Sequence, residues 1–320
     1  MSAILARMHA GAARLADALA ADAALLGVEV SGLADGARLI DAGVRAAGSI
    51  EAGRLYAECC LGGLGHVGVE AARLGGATLL EARVAVDHPL VACMASQYAG
   101  WKIQVGKFFA MGSGPARSLA AAEPLFQKYP LKSRADAAVL LLESGVLPGA
   151  EVAGHVASRC GVAPERVTLI AASTGSLAGC TQIAARSVET ALHKLMELGF
   201  DLGTIVAGAG VCPIAPSHPD PLRAIGRTND AVLYGARVSL WTRCVDGLIE
   251  AVIDRLPSSS SKDHGRQFYE LFRDRGGDFY AIDPMLFSPA QVTVVNAATG
   301  RVFSRGAVDE TMLRKSFGID

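Results

Sequence analysis

The chain has 320 residues, of which 51% are hydrophobic and 19% charged, a composition that excludes an intrinsically disordered protein. Its 30 basic and 31 acidic residues leave a formal net charge of −1, so charge gives no reason to expect nucleic acid as a partner. Charged residues interrupt every hydrophobic run before the roughly 18 apolar residues that span a bilayer, which argues against a membrane partner.

The N-terminal residues 2–24 predict an amphipathic first helix. This Ala-rich segment contains Asp17 and Asp22, which are not typical of an export signal. The seven cysteines include no CxxC pair, and the seven histidines form no HxxxH or His-Cys cluster. We therefore expect reduced thiols, a cytoplasmic location and no metal site.

Helices and strands alternate along the rest of the chain. The predicted elements are, in order, a strand in LLEARVAVDHP, helices in SRADAAVLLLESG and GAEVAGHVASRCG, a buried strand in RVTLIAAST, a helix from 181 to about 198, a strand in TIVAGAGV, and a hairpin of QVTVVN and RVFSRG. This order predicts a mixed α/β fold. We expect two lobes, approximately 1–180 and 181–320, with segments that can be exchanged between them.

A GxGxxG pattern occurs at Gly63, Gly65 and Gly68, with a helix-like stretch after it and Asp87 ending a later strand. This is the order of a dinucleotide-binding Rossmann fold. The fingerprint also needs a hydrophobic strand before it, whereas RLYAECCL contains Glu58 and few β-branched residues. The pattern therefore favours a glycine-rich turn, with a nicotinamide-dependent enzyme as the alternative.

The helix predicted from 181 to about 198 has two different faces. Its core-facing stripe spans an arc of about 80° and consists of Ala184, Val188, Ala191, Leu195 and Leu198. The opposite side, within about 60°, carries Gln182, Arg186, Glu189 and His193. This polar side is either a solvated face with an ion pair or part of a catalytic cleft. In the second interpretation Glu189 is a general base, kept ionised by Arg186.

Two further segments are candidates for ligand binding. In ASQYAGWKIQVGKFFAMGSGPARS, aromatic side chains offer flat surfaces and basic ones could meet an anionic group, although aromatic residues at this spacing also suit a core. In IGRTND, at 225–230, Arg227 stands beside Thr228 and Asn229. We interpret this segment as a turn or helix start, where either neighbour would serve as an N-cap and Arg227 could contact a polar ligand.

Taken together, six segments resemble the methenyltetrahydromethanopterin cyclohydrolase family. They are ASQYAGW (95–101), AMGSGPAR (110–117), ARSVETALHKL (185–195), IGRTNDAVLYG (225–235), PSSSSKDHG (257–265) and DFYAIDPMLFSPA (278–290). The resemblance implies a hydrolase of one-carbon metabolism that opens the methenyl bridge of a pterin and leaves the formyl group on the pterin-ring nitrogen. It also implies two α/β portions enclosing a substrate pocket, a homotrimer, and no metal or nicotinamide cofactor.

The resemblance further implies that Arg186 and Glu189, from the RxxE motif, are the catalytic pair. Motif membership and chemical type nominate the substrate-binding residues Ser96, Gln97, Tyr98, Trp101, Arg117, Gln182 and Arg227. Because the side chain of the pterin differs between organisms, no role is assigned to Lys102 or Lys107. An NAD(P)-dependent dehydrogenase of the one-carbon pathway and a non-catalytic pterin carrier are the alternative functions.

Overall fold

The computed structural model describes residues 1–278 and 281–319. The chain forms two compact units: unit 1 contains Met1–His66 and Val91–Gln182, and unit 2 contains Val67–Leu90 and Ile183–Asp320. Each unit has its own six-stranded sheet with helices, so the predicted mixed α/β class, distinct from a Rossmann fold, is confirmed.

The sheet of unit 1 has the strand order β1-β2-β8-β7-β6-β5. The strands are β1 (Glu29–Gly32), β2 (Arg38–Gly43), β5 (Trp101–Val105), β6 (Phe108–Ser113), β7 (Ala138–Glu143) and β8 (Val167–Ala172). The three central strands β2, β8 and β7 are parallel, and β1, β6 and β5 pair antiparallel at the two edges. The carboxyl ends of the three parallel strands therefore meet at one edge of the sheet.

Helices surround this sheet: α1 (Ser2–Ala21), α2 (Ala23–Leu26), α3 (Ile50–Cys60), α4 (Ala116–Ala120), α5 (Leu125–Lys128) and α6 (Ala150–Cys160), with α7 (Leu177–Ala184) after β8. Ser49 caps α3 by accepting a 3.0 Å hydrogen bond from the Ala52 N–H, and Gly161, in the left-handed region at φ 70°, ends α6 as predicted.

Both faces of the unit 1 sheet are buried. Leu141 and Ile170 belong to the core that includes α1 and α3, whereas Leu140 and Leu169 belong to the core that includes α4 and α6. Strands buried on both faces lose the alternation of polar and apolar residues. The helix predicted in SRADAAVLLLESG is wrong, since its apolar run AVLLL lies in strand β7. The run has no alternation that would have indicated a strand.

The sheet of unit 2 has the order β12-β11-β10-β9-β4-β3. Its strands are β3 (Gly65–Leu74), β4 (Ala77–Val86), β9 (Ile205–Pro213), β10 (Arg237–Thr242), β11 (Gln291–Asn296) and β12 (Val302–Gly306). Strand β11 runs parallel to β10 and forms the predicted antiparallel hairpin with β12. The helices are α8 (Ser187–Glu197), α9 (Pro221–Asp230), α10 (Asp246–Glu250), α11 (Phe268–Asp274) and α12 (Glu310–Phe317).

Short helices of other kinds complete the chain. The 3₁₀ turns are Pro164–Arg166, Leu202–Thr204, Ile253–Arg255, Ser258–Ser260 and Pro284–Leu286. Two segments are π-helical, Leu90–Gln97 and Ala231–Gly235. The first overlaps the start of the sequence motif ASQYAGW at residues 95–97, and the second lies within IGRTNDAVLYG. Because π-helical turns occur frequently at functional sites, their positions draw attention to the same two segments.

Candidate active site

Arg186 and Glu189 lie at the start of α8. Arg186 is the N-cap residue, and its carbonyl accepts hydrogen bonds of 2.9 Å from both the N–H and the hydroxyl of Thr190. Glu189 is in the first turn and only 7% exposed. The backbone N–H groups of a first helical turn carry partial positive charge, which stabilises a carboxylate there. The interpretation of this side of the helix as a solvated face is therefore not supported at Glu189.

The helix predicted from 181 to about 198 is interrupted. Helix α7 ends at Ala184, and α8 begins at Ser187. A turn bonded from the Arg186 N–H to the Ile183 carbonyl, at 3.0 Å, separates them. Gln182 belongs to α7 and is 1% exposed. The prediction that Gln182 and Glu189 share one side of a continuous helix is therefore wrong. The apolar stripe within α8 is confirmed at Val188, Ala191 and Leu195.

Two glycines of β9 let the first turn of α8 lie directly on the unit 2 sheet. A methyl group at Gly208 would come within 2.7 Å of Val188 Cγ1. One at Gly210 would overlap Ser187 Oγ and lie 3.1 Å from Val188 Cγ2. Glycine inside a strand often marks such a close approach. The VAGAGV sequence of β9 thus fixes how deeply the turn carrying Glu189 sits.

Lys194, in the middle of α8, is hydrogen-bonded to the two segments PSSSSKDHG and DFYAIDPMLFSPA. Its side chain is fully buried and donates to the carbonyl of Met285 and, at 3.4 Å, to Ser260 Oγ. Burial lowers the pKa of Lys194 to about 8. Phe279 and Tyr280 of the second motif lie outside the described residues.

Ser96 and Gln97 end the π-helix Leu90–Gln97 and are fully buried. The Ser96 hydroxyl donates a 2.5 Å hydrogen bond to the Cys60 carbonyl, at the end of α3. The Ser96 carbonyl accepts from the Gly114 N–H at 2.8 Å. The backbone of this segment is therefore held from two sides within unit 1.

Among the described residues, Arg117 has the largest fully buried side chain. Its guanidinium binds both oxygens of Glu123, at 2.9 and 2.5 Å, and donates to the carbonyls of Met94 and Ser96, at 2.9 and 3.1 Å. The ring of Tyr98 lies 5.1 Å from its Cζ. The structure thus places Arg117 beneath the Ser96 segment, and its predicted contact with substrate stays a prediction.

Among the aromatic residues, Trp101 is 5% exposed and lies in the core beside α6, where its ring is 6.4 Å from that of His155. Tyr98 is half-buried. Lys102 is exposed and lies 5.6 Å above the ring of Phe109, in the hairpin of β5 and β6. The aromatic residues of this segment therefore divide between the core and the surface.

The segment IGRTND is the end of helix α9, so its interpretation as a turn or helix start is wrong. Asp220 is the N-cap residue, accepting from the Leu222 N–H at 2.9 Å. Arg227 donates to the carbonyls of Ser316 and Pro216, at 3.2 and 3.5 Å. A basic residue in the last turn of a helix is also favoured by the helix dipole.

The GxGxxG pattern follows a helix and leads into a strand. Helix α3 ends at Cys60, Gly63 lies in the turn with φ 66°, and Gly65 begins β3. A dinucleotide fingerprint has the reverse order, a strand and then a helix. The helix-like interpretation of the residues after Gly63 is wrong, and the interpretation as a glycine-rich turn agrees with the structure.

Sequence reasoning missed two carboxylates at these sites. Glu123 was not recognised as the partner of Arg117. Glu143, at the end of β7, accepts a 2.5 Å hydrogen bond from the Thr174 hydroxyl in the loop after β8. An acidic residue ending a buried apolar run is the signal that would have found Glu143.

Within residues 1–278 and 281–319, no group of three or more His, Cys, Asp or Glu residues is placed to hold a metal ion. The same part of the chain has no helix with the length and hydropathy needed to cross a membrane.

Comparison with known proteins gives one consistent family. The family model described as Cyclohydrolase (MCH) matches residues 8–317. A methenyltetrahydromethanopterin cyclohydrolase of Methylobacterium sp. (strain 4-46) is 46% identical, with 97% of each chain covered. That of Xanthobacter autotrophicus is 48% identical over 96% of this chain and 91% of its own. That of Methanothermobacter marburgensis is 41% identical over 96% of this chain and 98% of its own.

Proposed function

The chain belongs to the Cyclohydrolase (MCH) family, and from this membership we propose that it hydrolyses the methenyl bridge of methenyltetrahydromethanopterin to 5-formyl-tetrahydromethanopterin. The observation that carries the proposal is the similarity to enzymes of that name along 97% of both chains. The nicotinamide alternative has no comparable support, because its glycine pattern lies between a helix and a strand.

The proposed reaction begins with water. A methenyl bridge between two nitrogens is an amidinium-like cation, so its carbon is electrophilic without further activation. What the enzyme must supply is a positioned water molecule and a group that manages its protons. Glu189 accepts a proton from the water as the C–O bond forms, which gives a neutral tetrahedral carbinolamine.

The second step opens the ring. The protonated Glu189 donates its proton to the nitrogen outside the pterin ring as the C–N bond breaks. The hydroxyl proton leaves to solvent as the C=O bond forms, so each turnover consumes one water and releases one proton. The formyl group remains on the pterin-ring nitrogen. The negative charge of Glu189 also favours binding of the cationic substrate.

In this proposal Arg186 sets the charge state and rotamer of Glu189 from the N-cap position of the same helix. Because the bridge carbon is already electrophilic, the reaction requires no metal ion or nicotinamide cofactor. We retain Tyr98 and Arg227, which are partly exposed, as substrate-binding residues. The other members of the proposed binding set are buried, which favours a role in shaping the site: Ser96, Gln97, Trp101, Arg117 and Gln182.

The proposal is tested by following the absorbance of methenyltetrahydromethanopterin with purified protein in the presence of EDTA. Loss of absorbance without added nucleotide, with ¹³C NMR assigning the formyl carbon to the ring nitrogen, is the expected result. Binding without loss of absorbance would identify a pterin carrier instead and contradict the proposal.

The homotrimer and the cytoplasmic location are also part of the proposal. Light scattering on the purified protein is expected to give three times the chain mass of 33.0 kDa, and cell fractionation is expected to recover the protein with cytoplasmic markers.

A further inference from the structure

At the carboxyl edge of the unit 1 sheet, the chain leaves the neighbouring strands β7 and β8 toward opposite faces of the sheet. After β7 the chain enters α6, whose Val152 and Val156 pack in the core on one face of the sheet. After β8 it enters α7, whose Ala178 belongs to the core on the opposite face. Where neighbouring parallel strands send their connections to opposite faces, the loops part and leave the binding crevice of an open α/β sheet.

Two polar side chains lie at this point. Glu143 is the last residue of β7, and Thr174 lies in the loop after β8; both are half-buried. The Thr174 hydroxyl donates to Glu143 Oε1 at 2.5 Å, which orients the carboxylate. Among the described residues this is the only hydrogen bond to the Glu143 side chain, and no cation pairs with its carboxylate. A carboxylate accepts up to about four hydrogen bonds, so this one retains most of its capacity.

The neighbouring carboxylate at the same edge is used differently. Asp41 accepts the N–H groups of its own loop, Gly43, Val44, Arg45 and Ala46, at 2.7 to 3.0 Å. Burial acts to raise the pKa of Asp41, but these four hydrogen bonds outweigh it and lower the pKa. Asp41 therefore shapes the loop after β2, whereas Glu143 retains acceptor capacity for a ligand.

We propose that Glu143, oriented by Thr174, binds the edge of the pterin ring that carries two adjacent N–H donors, the ring N3–H and the 2-amino group. The two oxygens of a carboxylate match two parallel donors, as in pairing with a guanidinium. The assignment rests on the proposed function for the identity of the heterocycle. It makes Glu143 a specificity-determining residue for the amino-oxo edge of the substrate.

The test combines Glu143→Gln with a substrate analogue in which a methyl group replaces the 2-amino group. Loss of charge-assisted hydrogen bonds is expected to raise KM about 10- to 100-fold, with kcat changed less than about threefold. The analogue is expected to raise the KM of the wild type similarly but that of Glu143→Gln little further, since both changes remove one contact. Glu151→Gln, an exposed carboxylate of unit 1 on α6, is the matched control with unchanged KM.

A normal KM for folded Glu143→Gln would overturn the inference while leaving the proposed function intact. Absence of turnover in the wild type would overturn both. Should Glu143→Gln fail to fold, as judged by circular dichroism, the wild type alone decides: equal KM values for substrate and analogue would overturn the inference. Thr174→Val is expected to raise KM by a smaller factor, about 3- to 10-fold.

Discussion

The buried ion pair of Arg117 and Glu123 makes a strong prediction about stability. Arg117 is fully buried, and its guanidinium has one ionic partner and two backbone carbonyls as acceptors. Glu123→Gln keeps the shape but leaves the positive charge without its counterion. Removing one member of a buried pair costs about 3 to 5 kcal/mol, and the retained amide oxygen places this variant at about 3 kcal/mol. Thermal denaturation should show a loss of about 6 to 12 °C.

The matched control is Glu51→Gln, which breaks an exposed ion pair with Arg54 within the same unit. Its cost is expected to be below about 1 kcal/mol. The double variant Arg117→Met with Glu123→Leu should recover most of the stability, because an apolar pair avoids the desolvation of two charges. A loss for Glu123→Gln no larger than that of Glu51→Gln, in urea unfolding followed by circular dichroism, would refute the reasoning.

Three further predictions concern other buried groups. Gly210→Ala should lower kcat at least about tenfold by lifting the first turn of α8, and adding Ser187→Ala should restore much of the rate, as steady-state kinetics would show. Burial raises the pKa of Asp230 from 3.8 to about 7, so its stabilising contribution is complete below pH 3.8 and is lost as the pH rises through 7. Asp230→Asn should flatten the unfolding free energy between those values, and an unchanged pH slope would contradict this. Burial raises the pKa of the Cys59 and Cys212 thiols, so neither should react with a thiol reagent at pH 8 before unfolding, as mass spectrometry of the labelled protein would reveal.

Elements with one buried face could be predicted from the sequence. Helix α6 has an apolar stripe and a terminal glycine, and the hairpin of β11 and β12 has alternating residues around a turn. Strand β7 could not be assigned, because it is buried on both faces and its leucine run has no period. The interruption between α7 and α8 is equally invisible, since residues 184–187 contain neither Gly nor Pro.

The candidate site divides in the same way. The RxxE spacing predicts that Arg186 and Glu189 lie near each other. This prediction does not depend on a continuous helix, because the two residues are the N-cap and the first turn of the same helix α8. The environment of Arg117 depends on Glu123 and on two carbonyls of another segment. Such contacts are tertiary, so residue type alone suggested an anion-binding side chain where the structure has a buried ion pair.

The central claim is that the Glu189 carboxylate handles the protons of the attacking water. The most direct measurement is kcat of Glu189→Gln with methenyltetrahydromethanopterin, beside Glu197→Gln at the exposed end of the same helix. The account predicts that the folded Glu189 variant loses about 10²- to 10⁴-fold in kcat, while the Glu197 variant keeps the wild-type rate. A kcat for Glu189→Gln within about threefold of the wild type would contradict it.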